Sequence, residues 1–215
     1  MLFNQNLFIA ITISCFVLFW FAVRHKLSMR VYIIWSLFIS FAAVAGFFIQ
    51  FPPSFALTLL GTVITIVCCS ILLVNTKINM YLLLAIHISR IPVEFILYAL
   101  FKAKMLPREM TFIGCNYDIV FGITALIFLI TGIFFRKIFN FQIFRLWNIF
   151  GICSVLIVVL LGILSSPIPI QLIAYDQPNI AMLQFPYALL PNLVVPLVIL
   201  SHILLLRNSV TSTFR

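Results

Sequence analysis

The sequence predicts an all-α integral membrane bundle of seven transmembrane helices, with residues 1–215 forming one domain. Three observations carry that expectation. Apolar residues make up 65% of the chain and charged residues 8%; mean hydropathy is +1.27; and the apolar residues fall in continuous runs. A chain of this composition cannot present a wetted surface. Spans of about 20 residues fit seven times into its length with short connections. A membrane barrel would instead alternate apolar and polar positions over segments of about 10 residues.

Each run is bounded by polar or turn-forming residues. The first, 7–23, ends at Arg24, His25 and Lys26. The second, 31–49, follows Arg30 and closes at Gln50, Phe51, Pro52 and Pro53. The third, 55–74, precedes Asn75, Thr76 and Lys77, and the fourth covers 79–101. The fifth lies within 111–135, before Arg136 and Lys137, and the sixth covers 146–164 after Arg145. A proline-containing loop, 165–179, leads to the seventh, 180–206, which contains Pro186, Pro191 and Pro196. Gln184, Phe185 and Pro186 echo Gln50, Phe51 and Pro52, and the first and fifth runs both end in basic residues. This pattern suggests a parallel repeat of three helices, one linking helix and three more, as occurs in small transporters.

Lys and Arg set the orientation, because short cytoplasmic loops hold the excess of positive charge. Arg24, Lys26, Arg30, Lys77, Arg136, Lys137, Arg145, Arg207 and Arg215 fall on one side, and Lys102, Lys104 and Arg108 on the other. The expected topology therefore places the N-terminus outside and the C-terminus in the cytoplasm. Trp20, Trp35 and Trp147 stand close in sequence to the inner basic groups, where headgroup-level indoles belong. The net charge of +9 is accounted for by this insertion pattern and by attraction to anionic lipid. It does not form the basic, aromatic-laced surface of a nucleic-acid binder. The first run lacks the basic leader and small-residue cleavage site of a secretory signal.

The fourth run carries the chemistry. His87, Arg90, Glu94 and Tyr98 are three, four and four residues apart, one stripe of a helix. Arg90 lies about 18 Å below Lys102 at 1.5 Å per residue, near the midplane. An unpaired charge there costs about 2.5 to 3.5 kcal/mol even on the mildest scale. Glu94, one turn on, is the expected partner. Two readings follow: a pair that neutralises the arginine and locks the bundle, or a charged wall of a ligand cavity. Pro92 between them predicts a kink and an open carbonyl at Ile88. Asp118 with Asn116 and Tyr117 near the fifth span, and Gln184 and Asn192 in the seventh, could converge on the same region. Three prolines in the seventh span predict a bent or broken helix, which at membrane depth borders a cavity.

The candidate ligand-binding set is thus Arg90, Glu94, His87, Tyr98, Asp118 and Asn192. His87 and His202 form an alternative pair of haem or metal ligands, which requires both rings at one depth on facing helices; a packed or hydrogen-bonded role is the simpler reading, and no cofactor is expected. Cys15, Cys68, Cys69, Cys115 and Cys153 are odd in number and lack metal spacing, so they read as small packing residues. No HExxH, GxSxG, phosphate loop or GxGxxG is present, so the reading leans away from an enzyme.

The stretch 90–94 with Arg90, Pro92 and Glu94, the segment from Met110 to Asp118, and residues 177–186 continuing to Ser201 and His202 resemble a group of small bacterial multi-pass membrane proteins of unassigned activity. That resemblance implies a multi-pass protein of the bacterial inner membrane. The three-one-three arrangement is also similar in architecture to small sugar transporters of the PQ-loop type, although their Pro-Gln signature is missing. The functional expectation is a carrier or receptor in the lipid bilayer with a polar intramembrane site for a small polar ligand. The alternatives are a haem or metal protein and a structural membrane subunit.

Overall fold

The computed structural model describes residues 2–135 and 139–209. Arg136, Lys137 and Arg215, counted above on the inner side, lie outside the described residues. Within them all regular structure is helical: α1 (Leu2–Val23), α2 (Lys26–Val44), a single turn α3 (Phe47–Gln50), α4 (Pro52–Leu72), α5 (Met80–Ile86), α6 (Arg90–Lys102), α7 (Asp118–Phe134), α8 (Phe141–Ser165) and α9 (Val195–Ser209). Six helical stretches are long and apolar enough to cross a bilayer, α5 and α6 counting together as one, while α7 is apolar but only 17 residues long.

Local chemistry explains the boundaries. Helices that start at the basic end are capped by side chains: His25 accepts from the Ser28 amide, Asn79 from Tyr81 and Leu82, and Asn140 from Gln142 and Ile143. Each cap satisfies an amide that the first helical turn leaves open. α2 stops before Gly46, whose φ of +72° turns the chain in a conformation that glycine adopts without strain. The 31–49 run is therefore a helix plus a separate turn. α8 begins at Phe141, five residues before the apolar run predicts, because Asn140 sets its start.

The seventh apolar run departs most from expectation. Only residues 190–209 form a continuous helical stretch, opening with a π-helical turn, Leu190–Val194. Residues 180–189 instead form a short 3-10 turn, Ala181–Leu183, and irregular chain. Their backbone is satisfied from the neighbouring loop: the Ile180 and Ala181 amides both donate to the Met105 carbonyl. The Gln177 side chain bonds the carbonyls of Phe101 and Leu106, so a folded cap of loop joins this end of α6 to the start of the last span. At the opposite end Arg207 donates to the Ser70 carbonyl at 2.7 Å and to its hydroxyl at 2.8 Å, tying the C-terminal ends of α4 and α9 together.

α9 is the axis of the bundle. It packs against α1, α4, α5 and α8, and the span that it forms with the π-helical turn, Leu190–Asn208, is 67% buried, against 28% for α4 and α8. Outward-facing side chains such as Ile34, Phe41 and Leu57 are large and apolar, which suits lipid rather than water. The Ser201 hydroxyl folds back onto the Leu197 carbonyl, so α9 carries this polar group through the core without an open bond.

Candidate functional site

The α5–α6 span is interrupted by a 3-10 turn at His87–Ser89, one turn before Pro92. The missing Pro92 amide is the physical cause predicted from sequence. The interruption lets His87, Arg90 and Glu94 project into the bundle, where all three are buried. Tyr98 does not join them. It is half-buried and packs on Phe112, its ring centroid 5.2 Å away, with the Lys102 ammonium 5.4 Å from its ring.

Arg90 does not pair with Glu94 as the one-turn spacing predicts. Its Nη2 forms an ion pair with Asp118 Oδ1 at the start of α7, and the guanidinium lies 4.9 Å from the centre of the Phe121 ring. Asp118 is the better partner because it sits in the first turn of α7, where the helix dipole also favours an anion. α6 and α7 approach closely at Gly122: a Cβ there would stand 2.7 Å from an Ile91 side-chain atom. The same Asp118 oxygen accepts from Ser154 of α8 at 2.6 Å. Glu94 is held separately, its Oε1 accepting from Asn116 Nδ2. Asn116 also receives the Asp118 backbone amide at 2.9 Å on its Oδ1, so one amide side chain ties the Glu94 carboxylate to the first turn of α7.

His202 of α9 completes the network. Its Nε2 stands 3.3 Å from Arg90 Nη1 and its Nδ1 2.9 Å from Asn148 Oδ1. Arginine offers donors alone, so Nε2 accepts and Nδ1 carries the hydrogen given to Asn148. Asn148 in turn donates to the Phe144 carbonyl at 2.8 Å, which fixes the orientation of its amide. The chain Asn148, His202, Arg90, Asp118, Ser154 thus joins α6, α7, α8 and α9 across the interior.

His87 and His202 do meet, with ring centroids 4.0 Å apart and planes tilted by 35°. The two rings are thus on facing helices and in direct contact. Trp147 lies against both, at 5.4 Å and 5.1 Å, and its indole donates to Thr124 at 2.8 Å. Read from sequence as a headgroup-level residue, Trp147 is instead a buried wall of the cluster. Asn192 belongs to a different group: its Oδ1 accepts from Thr62, which also receives the Trp35 indole, and its Nδ2 donates to Ala188.

Ser89, Arg90, Val93, Glu94, Asp118, Val155, Leu190, Val194, Val195 and Val198 line a cavity of about 30 Å³, room for about two water molecules. Arg90 Nε and Glu94 Oε2 are both buried and have no hydrogen-bond partner among the described residues. A second, almost wholly apolar cavity of about 50 Å³ lies between α4, α8 and the π-helical turn, and shares Leu190 and Val195 with the first.

Residues 46–209 match the family described as Domain of unknown function (DUF8737). The chain belongs to that family. The DUF8737 match begins after α2 and contains every residue of the polar cluster. No curated protein and no solved structure matches the chain. Within the DUF8737 region, sequence reasoning singled out the charged residues and overlooked Asn148 and Ser154. Each is a polar residue inside an otherwise apolar span, and that was the available signal.

Proposed function

We propose that the chain is a seven-span carrier or receptor of the bacterial inner membrane that holds a small polar ligand at Arg90, Asp118 and Glu94. One observation carries the reading: a buried donor, Arg90 Nε, and a buried acceptor, Glu94 Oε2, stand unpartnered on residues that line the same small cavity. Buried polar atoms are nearly always hydrogen-bonded. A donor and an acceptor on residues of one cavity wall complement a small molecule that carries both functions.

The topology belongs to the same reading. α7, at about 1.5 Å per residue, is about 25 Å long, close to the hydrocarbon thickness of about 30 Å, and serves as the seventh span. Arg24, Lys26, Lys77 and Arg207 adjoin helix ends of one bundle face, and Lys102, Lys104 and Arg108 the other, which supports an outside N-terminus and a cytoplasmic C-terminus. The three-one-three repeat rests on the matching Gln-Phe-Pro segments, one at residues 50–52 where Pro52 opens α4, the other at residues 184–186 ahead of the π-helical turn.

The test is a melting-temperature screen of the nanodisc-embedded chain against small polar metabolites. A binder should stabilise the wild-type protein and lose its effect in Arg90→Lys and Glu94→Gln. Stabilisation that survives in both variants, or no binder across the metabolite classes, would sink the reading.

A further inference from the structure

The fixed charges of the cluster do not balance. Arg90 contributes one positive charge, whereas Asp118 and Glu94 contribute two carboxylates, and all three line one cavity. Asp118 is compensated directly, since its Oδ1 receives both the guanidinium and the Ser154 hydroxyl. Glu94 is not: it is 1% exposed, its Oε1 is held by a neutral amide, and its Oε2 has no partner.

Resting on the carrier or receptor reading above, we infer that the cluster takes up one further positive charge at Glu94, as a proton or a small alkali cation. Arg90 and His87 share the span of Glu94, Asp118 comes from α7 and His202 from α9. Cys15 of α1 stands beside Ser89, α8 supplies Ser154 and Val155, and the π-helical turn supplies Leu190 and Val194. Among these groups Arg90 is the one fixed cation, and it is committed to Asp118. A single uncompensated carboxylate in low dielectric is costly, and one monovalent cation cancels it; a divalent ion would reverse the sign of the cluster. The size of the cavity agrees, since about 30 Å³ admits an alkali ion or a water-sized proton carrier as it stands, whereas a metabolite enters only when the surrounding helices separate.

The experiment titrates lithium, sodium and potassium chloride against N-methylglucamine chloride at constant ionic strength and fixed pH. A second series varies pH without alkali cations, and both read the melting temperature of the chain in nanodiscs. The inference requires a saturable response in one series: response to an alkali salt identifies the metal cation, and response to pH alone identifies the proton. Either response must disappear in Glu94→Gln, whose amide oxygen can still accept from Asn116, and persist in Thr62→Val. Should Glu94→Gln fail to fold, Glu94→Asp takes its place and should move the midpoint by about tenfold or more. No response in either series, an undiminished response in Glu94→Gln, or an unmoved midpoint in Glu94→Asp overturns the inference. A metabolite whose binding requires Arg90 and is indifferent to cation and pH would overturn it too, while leaving the carrier or receptor reading intact.

Discussion

Arg90 of α6 forms its ion pair with Asp118 of α7, while Glu94, one turn from Arg90 on the same helix, is bound by Asn116. The charged contact therefore holds two helices together instead of bracing one. It also makes the stability of the bundle depend on residues 28 positions apart.

This pairing predicts the outcome of a double-mutant cycle. Asp118→Leu leaves Arg90 charged and unpaired in the interior and should cost about 3 to 5 kcal/mol, whereas Arg90→Met combined with Asp118→Leu should recover much of that loss. The coupling energy between positions 90 and 118 should exceed that between 90 and 94, and should fall within about 0.5–3 kcal/mol. Chemical or thermal unfolding in nanodiscs measures both. Additive effects at 90 and 118 would dismiss the pair.

Gly151 should be intolerant of any side chain. The His202 imidazole occupies the place where a Cβ at position 151 would stand, so Gly151→Ala must push the ring away from Asn148 and Arg90. Overpacking of this kind costs about 1–3 kcal/mol. The variant should melt lower than the wild type; equal melting temperatures would show that His202 can move freely.

The Thr62 and Asn192 pair offers the contrasting case. Thr62→Val removes the hydroxyl that donates to Asn192 Oδ1 at 2.8 Å and leaves a buried acceptor open, at about 1–3 kcal/mol. Because these residues do not line the charged cavity, ligand affinity should stay at the wild-type value. A loss of affinity in Thr62→Val would extend the site to Asn192.

Topology is checked by fusions. A reporter active in the cytoplasm should give signal when joined at Arg215, and an export-dependent reporter should give signal when placed near Leu172. Silence of either reporter, with its opposite active at the same point, would refute the outside-to-inside path of the chain.

The direct, tilted contact of His87 and His202, with ring centroids 4.0 Å apart, leaves no room for a macrocycle between them and predicts that the purified chain shows no Soret band. A band that vanishes in His87→Ala would mean that the two rings separate to ligate a haem.

The helical spans were legible because apolar runs of about 20 residues have one stable form in lipid. The kink before Pro92 was legible as well, since a missing amide acts locally. Interhelical partners were not. The spacing of Arg90 and Glu94 reveals that they share a face, but which helix lies opposite that face depends on packing that no single segment encodes. The last span was misjudged for a related reason: residues 180–189 are apolar enough for a helix, yet their amides find carbonyls such as Met105 in a neighbouring loop. Trp147 was misplaced because proximity in sequence to Arg145 says nothing about the direction in which an indole points.

The wide turn at Leu190–Val194 sets the clocking of α9. A π turn accommodates one residue more than an α turn, and each residue of an α-helix advances the wheel by about 100°. His202 thus meets Arg90 and Asn148 at an azimuth that an uninterrupted α-helix from the same starting point would miss by about one residue step. Shortening that turn by one residue would leave every side chain of α9 in the chain and aim His202 at a different neighbour, so the extra residue acts as the key that registers the axis of the bundle with its charged interior.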